Sequence, residues 1–128
     1  MRLLLDTHTF LWFIDGSPRC SANARALVAD VSNQRFLSVA SLWEIAIKAS
    51  LGKLSLAQPF EALIPQQLRL NGIELLGIEF HHTALVATLP FHHRDPFDRL
   101  LVAQARAEQM PVVSGDTAFD AYDVTRLW

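Results

Sequence analysis

Short apolar runs alternate along the chain with longer stretches of helical periodicity, which leaves few architectures open. The runs are rich in Leu, Ile and Val without polar alternation, a pattern typical of strands buried on both faces. Helical stretches between such strands indicate an open parallel sheet flanked by helices, the α/β class. The predicted strands span residues 3–5, 35–38, 74–77, 111–114 and, as a weaker fifth strand, 123–125.

The segments between these strands carry signals that start and stop helices. The predicted helices span residues 9–14, 21–31, 41–51, 60–70, 80–87 and 96–109. The expected stops are Gly16, Gly52, Asn71-Gly72 and Pro90. The chain has 128 residues and no repeat, linker or biased segment, so residues 1–128 are expected to form a single domain.

Composition narrows the class of protein. Hydrophobic residues make up 51% and charged residues 19% of the chain, which excludes a disordered polypeptide. No uncharged run approaches the roughly 18 apolar residues of a membrane span, and Asp6 interrupts the apolar start before a signal-peptide core forms. The single cysteine, Cys20, cannot form an internal disulfide or a cysteine-rich zinc site. We therefore expect a cytoplasmic protein that does not interact with a membrane.

Four carboxylates follow a predicted strand or open a predicted helix: Asp6, Glu44, Asp98 and Asp116. Ligands of open parallel sheets bind outside the carboxyl ends of the strands, so we expect these side chains at one edge. Two unit charges about 4 Å apart repel by about 4 kcal/mol at an effective dielectric constant near 20. A divalent cation would remove that repulsion, and oxygen ligands favour Mg²⁺ or Mn²⁺. Such ions hydrolyse phosphodiesters through metal-activated water.

Each acid also has a structural role open to it. Glu44 could complete a capping box with Ser41 and pair with Lys48 one helical turn on. The other three acids could cap helices or occupy their first turns. Asp95 is left outside the site because it precedes Pro96 as a helix cap and has Arg99 four residues on. Taken together the four acids favour a site, because Ser, Thr or Asn would cap as well.

The chain has a formal net charge of −2, whereas most dedicated nucleic-acid-binding domains are strongly basic. Local groups of cations or metal ions would therefore have to attract a nucleic acid. The candidate cations for phosphate contact are Arg94, Arg99, Arg106, Lys48 and Lys53, with plain solvation at the surface as the alternative for each. The pairs His81-His82 and His92-His93 are not interpreted as metal sites, because adjacent helical side chains point in different directions. A position near substrate stays open for the second pair.

Large apolar side chains are expected in the core or at an interface. This applies to Trp12 and Trp43, which are not interpreted as base-stacking platforms. The apolar stretches 10–14 and 60–64 exceed what one small sheet obviously buries, so part of them is expected to meet another chain.

In order and spacing, these motifs resemble the PIN-domain nucleases, and within them the toxins of bacterial VapBC-type toxin–antitoxin pairs. The matching motifs are residues 3–8 (LLLDTH), 38–45 (SVASLWEI) with Lys48 and 52–54 (GKL), 95–105 (DPFDRLLVAQA), and 114–116 (SGD) with Phe119 and Tyr122. Each motif alone is weak, but together they cover nearly the whole chain.

The resemblance implies a five-stranded parallel sheet flanked by helices, with Mg²⁺ or Mn²⁺ in an acidic pocket. It implies endonucleolytic cleavage of RNA, a homodimer, and a cognate antitoxin whose helix lies in a hydrophobic groove. Asp6, Glu44 and Asp98 match the first three family acids, and Asp116 matches the more variable fourth. His8 departs from the small hydroxyl or amide residue of many members, and it is interpreted either as a helper to the metal shell or as a plain first-turn residue.

Two other functions stay open at this point. A receiver-type phosphoacceptor domain has a similar length and Mg²⁺-binding strand-end aspartates, but this chain has one acid after the first strand and no Lys beyond Lys53. The second alternative is a PIN-fold binding partner without catalytic activity.

Overall fold

The computed structural model describes all residues, Met1–Trp128, and contains one sheet of five parallel strands with six α-helices. The strands are β1 (Arg2–Leu5), β2 (Gln34–Ser38), β3 (Ile73–Leu76), β4 (Val112–Val113) and β5 (Arg126–Leu127). The helices are α1 (Thr7–Asp15), α2 (Ala22–Ala29), α3 (Val39–Ser50), α4 (Phe60–Asn71), α5 (Phe80–Thr88) and α6 (Pro96–Glu108), with a 3₁₀ helix at Thr117–Ala121. The predicted α/β class and the five-stranded parallel sheet are confirmed.

The strand order across the sheet is β3-β2-β1-β4-β5. Receiver-type domains have the flavodoxin-like order 2-1-3-4-5, in which the third strand lies next to the first. Here β1 lies between β2 and β4, and β3 is an edge strand. The receiver alternative is therefore wrong for this chain.

Alternate residues of the central strands fill two separate hydrophobic clusters, because successive side chains of a strand point to opposite faces. Leu3 and Leu5 pack with residues of α1 to α4 on one face. Leu4 packs with residues of α6 and the 3₁₀ helix on the other. Helices thus cover both faces of the sheet, which leaves the carboxyl and amino ends of its strands uncovered.

Helix α3 begins two residues earlier than predicted. The hydroxyl of Ser38 accepts the backbone N–H of Ala40 (3.0 Å), so Ser38 caps the helix as β2 ends. Ser41 lies inside the helix, and the predicted capping box of Ser41 with Glu44 is wrong. Elsewhere the predicted stops agree with the structure: Gly16 and Gly72 end α1 and α4 in the left-handed conformation that glycine adopts without strain.

The fifth strand lies later than predicted, at Arg126–Leu127 instead of residues 123–125. At Val124 the chain is in a turn, in which the backbone N–H of Val124 donates to the carbonyl of Tyr122 (2.9 Å). The side chains of Val124 and Tyr122 both pack in the hydrophobic cluster on the sheet face that α6 covers. Pairing with β4 begins only at Arg126, opposite Val112.

The two apolar stretches expected to meet another chain are used mostly within this one. Phe10 and Leu11 are buried, and Trp12, Phe13 and Ile14 pack against the same cluster. Leu63 and Ile64 of the second stretch are also buried. The exposed large apolar side chains lie elsewhere, at positions that include Trp43, Leu51, Phe80 and Phe91. None of the helices is both long enough and apolar enough to cross a membrane.

Candidate active site

Asp6 lies directly after β1 and is nearly buried, with 7% of its surface exposed. One carboxylate oxygen accepts the backbone N–H of Thr7 (2.8 Å), and the other accepts the hydroxyl of Ser114 (2.8 Å), which follows β4. Burial raises the pKa of Asp6, and the Ser114 hydrogen bond opposes that rise. Asp6 therefore caps α1, while its second oxygen is held by a residue that follows another strand.

Glu44 lies on α3 and is buried, with 3% of its surface exposed. Its Oε1 accepts the hydroxyl of Thr7 (2.7 Å), and its Oε2 pairs with Nζ of Lys48 (2.6 Å). The hydrogen bond from Lys48 to Glu44 raises the pKa of Lys48. The predicted pair of Glu44 with Lys48 is confirmed, and this lysine is engaged by a carboxylate instead of being free for phosphate.

Asp98 lies in the first turn of α6, which begins after the cap Asp95. The Asp95 carboxylate accepts the backbone N–H groups of Phe97 (2.8 Å) and Asp98 (3.2 Å). Burial, followed by the negative charges of Asp6, Asp95, Glu44 and Asp116, raises the pKa of Asp98 to about 8. The fold thus brings four other acids close enough to oppose ionisation of this one.

Arg99 does not pair with Asp95 as predicted. It is nearly buried, and its guanidinium donates to the backbone carbonyls of Pro90 (2.9 Å) and Leu89 (3.1 Å). The expectation that Arg99 contacts phosphate is therefore wrong.

Asp116 follows β4 and is exposed. Its carboxylate accepts the N–H of Ala118 (2.9 Å) and so caps the 3₁₀ helix, which is the structural role that the sequence left open for this acid. Its backbone N–H donates to the hydroxyl of Ser114 (3.0 Å), the same hydroxyl that donates to Asp6. Ser114 therefore fixes the position of Asp116 relative to Asp6.

His93 is a site residue that sequence reasoning placed only near substrate. Its Nδ1 accepts the backbone N–H of Asp95 (3.0 Å), so Nε2 carries the ring proton. That Nε2 lies 3.1 Å from Oδ2 of Asp98 and 3.9 Å from Oδ2 of Asp116. In this arrangement His93 donates to the acids, and its ring nitrogen lies within 4.8 Å of a carboxylate oxygen of both Asp98 and Asp116. Its place two residues before a helix cap was visible in the sequence, but its orientation was not.

Asp6, Asp98 and Asp116 line one cavity of about 310 Å³ at the carboxyl edge of the sheet. Glu44 does not line it and is connected to it through Thr7, the residue after Asp6. His8 also lines the cavity, and Arg19 is the only Lys or Arg that does so. Carboxylate oxygens with so little cationic compensation suit a hard divalent cation.

The other cavity, of about 460 Å³, lies at the opposite edge of the sheet. Its lining includes Pro111 and Thr125, which precede β4 and β5. Arg106 and Asp123 also line it, so Arg106 is far from the predicted site and its expected contact with substrate is not supported. No cluster of acids is found there.

His81 and His82 form a second histidine–carboxylate cluster, with Glu108. Contrary to the prediction that adjacent rings diverge, their centroids lie 4.2 Å apart. His82 Nδ1 accepts the N–H of Glu79 (3.0 Å), so its Nε2 donates to Glu108 (2.8 Å). With both ring nitrogens engaged, His82 ties α5 to the end of α6 and does not offer a metal ligand.

The sequence model of the PIN domain matches residues 3–124 of this chain. The chain belongs to the PIN-domain family. Its five-stranded parallel sheet flanked by helices is therefore the fold of a PIN domain.

One curated relative of this PIN domain is Ribonuclease VapC16 of Mycobacterium tuberculosis, which is 44% identical over 71 residues. That match covers 52% of this chain and 50% of the relative, so the chain spans about half the length of the relative it matches.

Solved structures with the same fold include VapBC2 from Rickettsia felis bound to a DNA fragment from its promoter, with a TM-score of 0.74 and 18% identity. The superposition covers 99% of this chain and 98% of that one. DNA-bound VapBC from Salmonella typhimurium has a TM-score of 0.71 at 15% identity, covering 99% of this chain and 97% of that one. At these identities the likeness concerns the fold.

Proposed function

We propose that residues 1–128 form a single-domain, metal-dependent endoribonuclease that acts as the toxin of a toxin–antitoxin pair and is neutralised by a cognate antitoxin. Three observations support this: membership of the PIN family, a relative named as a ribonuclease, and structural neighbours named as VapBC complexes. The observation that carries the catalytic part is the acidic cluster around Asp98, whose pKa is raised to about 8.

The proposed ligands of Mg²⁺ or Mn²⁺ are the carboxylates of Asp6, Glu44, Asp98 and Asp116. A cavity lined by three of these acids and one arginine is electrostatically unfavourable until a cation enters it. When bound, the cation supplies Lewis acidity that lowers the pKa of an attacking water and neutralises the phosphate. A raised pKa without metal, as found for Asp98, is expected of a carboxylate whose negative charge is normally balanced by a bound cation.

The neighbouring polar groups orient these acids for that role. Ser114 donates to Asp6, Thr7 donates to Glu44, and His93 donates its Nε2 proton to Asp98. A carboxylate oxygen that accepts one hydrogen bond keeps a second lone pair for a ligand, and an acid held in this way loses little freedom on binding. The chain then needs no serine, cysteine or histidine nucleophile.

Cleavage by the purified protein tests this proposal. We expect wild type to cut RNA in Mg²⁺ or Mn²⁺ and not in excess EDTA, leaving 5′-phosphate and 3′-hydroxyl ends. Asp6→Asn removes one ligand charge and is expected to lower the cleavage rate at least about a hundredfold, because even substitution of the residues that support metal ligands typically costs about 10- to 100-fold. Asp123→Asn, an exposed acid at the opposite sheet edge, is the matched control and should cleave as wild type does.

Products ending in 2′,3′-cyclic phosphate, or full cleavage in EDTA, would contradict the metal-dependent mechanism. If Asp6→Asn arrests bacterial growth as strongly as wild type on expression, the chain is instead a PIN-fold binding partner without catalysis.

A homodimer and an antitoxin are the proposed protein partners. The structural neighbours named as VapBC complexes support the antitoxin, and exposed apolar side chains such as Trp43 (63% exposed) and Phe80 (88% exposed) are surface that a partner would cover. Sedimentation of the purified protein, alone and co-expressed with a small adjacent reading frame, measures both associations.

A further inference from the structure

Three aromatic side chains, His8, Trp12 and Trp128, line the same cavity as the acids, and we refer to them as the aromatic wall. His8 and Trp12 lie one helical turn apart on α1, with ring centroids 5.5 Å apart. Trp12 and Trp128 meet edge to face, with centroids 6.1 Å apart. The prediction that Trp12 serves only as core or interface is therefore incomplete, since part of this side chain faces the site.

Packing holds the far end of the aromatic wall in place. A Cβ at Gly115 would lie 2.9 Å from Cε2 of Trp128, so the indole rests directly on the glycine backbone. The carbonyl of Trp128 also accepts Nδ2 of Asn23 (3.3 Å). Both tryptophans pack against the core cluster beneath α1, which leaves His8 as the exposed member of the wall. A surface fixed in this way can bind a flat ligand without first being ordered.

The size and charge of the cavity match one nucleotide. Its volume of about 310 Å³ is at the lower end of the range of about 300–1,000 Å³ for small-ligand sites. One side offers aromatic rings, another the acids that would hold a cation, and Arg19 adds a guanidinium. Stacking on aromatic rings is the usual way in which proteins hold an unstacked base, and arginine is a common phosphate contact.

We propose that the aromatic wall is a base-stacking subsite for an unpaired nucleotide next to the scissile phosphate, with Arg19 contacting a phosphate of the same strand. This inference rests on the proposed nuclease function and specifies its substrate class. A base within a duplex has both faces covered by its neighbours, so the subsite selects single-stranded segments and loops of RNA. Stacking accepts any base, because every base has a π-face.

Binding of a labelled short oligoribonucleotide and of its abasic counterpart tests the proposal, with fluorescence anisotropy as the readout. The Asp6→Asn background prevents cleavage during the measurement. We expect the base-bearing RNA to bind more tightly than the abasic RNA. His8→Ala should weaken binding of the base-bearing RNA about 5- to 150-fold, the range that corresponds to loss of one stacking contact, and leave binding of the abasic RNA unchanged.

Matched variants separate stacking from other effects. His8→Phe keeps an aromatic ring but has no ring nitrogen, so it should retain base-dependent binding if His8 acts by stacking. If His8 acts in the metal shell, the same variant should lose its function. Arg19→Gln should weaken binding of both RNAs equally. Trp43→Leu removes a tryptophan outside the cavity and should change neither affinity, whereas Trp128→Leu, checked for folding by circular dichroism, should act as His8→Ala does.

Equal affinities of wild type for the two RNAs, or equal losses for both in His8→Ala, would overturn the subsite while leaving cleavage activity intact. Base-dependent binding by a wild-type protein that cleaves no RNA would instead refute the proposed nuclease and leave the subsite standing.

Discussion

Asp98 shows how a single residue can reflect the charge of a whole site. Burial and four neighbouring acids raise its pKa to about 8, whereas in the unfolded chain it ionises at its ordinary value of 3.8. Between these values the folded protein keeps a proton that the unfolded chain has lost. By linkage, the free energy of unfolding of the metal-free protein therefore falls as pH rises through this window.

We expect the Asp98→Asn variant, freed of metal, to be more stable than wild type at pH 8 by at least about 1.4 kcal/mol, the equivalent of one pKa unit. Its stability should fall less steeply between pH 5 and pH 8. A smaller slope remains because burial also raises the pKa of Asp6. Urea denaturation at several pH values in EDTA measures both quantities. Equal slopes in the two proteins would contradict the assignment, and Asp123→Asn should keep the wild-type slope.

At the scale of elements, the first turn of α6 combines two functions in adjacent residues. Asp95 caps the helix through two backbone N–H groups, and its charge contributes to the raised pKa of Asp98. Its own N–H fixes the ring of His93, which in turn donates to Asp98. One short segment thus starts a helix, raises a pKa and orients a proposed ligand.

The two functions of Asp95 can be separated by substitution. Asp95→Asn keeps a good cap and removes the charge, so we expect it to preserve stability at pH 7 and to lower the pKa of Asp98. Asp95→Ala removes the cap as well and should reduce the free energy of unfolding by about 1 kcal/mol relative to Asp95→Asn. Denaturation of the two variants side by side gives the difference. If both are equally stable, the side chain does not cap α6 in solution.

The same elements show what a sequence can and cannot predict. Strand β1 was predictable because its three leucines are continuous, and the apolar pairs of β2 and β3 sufficed to place those strands. Asp95 was recognisable as a cap before proline. Ser38 and Ser41 are both suitable N-cap residues in the sequence. Ser38 is the one that caps α3, because β2 ends there. Strand β5 has two residues, too few for a pattern.

Within the site, the sequence predicted which acids follow strands but not which side chains contact them. The hydrogen bond between Thr7 and Glu44 joins residues 37 positions apart, and that between Ser114 and Asp6 joins residues 108 apart. Such contacts depend on the register of the sheet and on side-chain rotamers, which local patterns do not encode. The predicted first helix begins after His8, so the contact of His8 with Trp12, and of Trp12 with Trp128, emerges only from the structure.

At the scale of the whole molecule, folding concentrates negative charge that the sequence keeps apart. Asp6, Glu44, Asp98 and Asp116 come from four separate segments, and the charges of the other three contribute to the raised pKa of Asp98. Lys48 forms its ion pair with Glu44, and Arg19 is the only basic side chain other than a histidine at the cavity. If these acids bind a cation as proposed, fold stability and cation binding are linked.

We expect Mg²⁺ or Mn²⁺ to raise the melting temperature, because a ligand that binds only the folded state adds about 2.7 kcal/mol at one hundred times its dissociation constant. The gain should be larger at pH 8 than at pH 5, since protons compete with the cation at Asp98. Asp98→Asn and Glu44→Gln should lose most of it, and Asp123→Asn should retain it. Differential scanning calorimetry with NaCl at matched ionic strength separates binding from screening. An equal gain from NaCl, or a full gain in Asp98→Asn, would mean that the acids meet without sharing an ion.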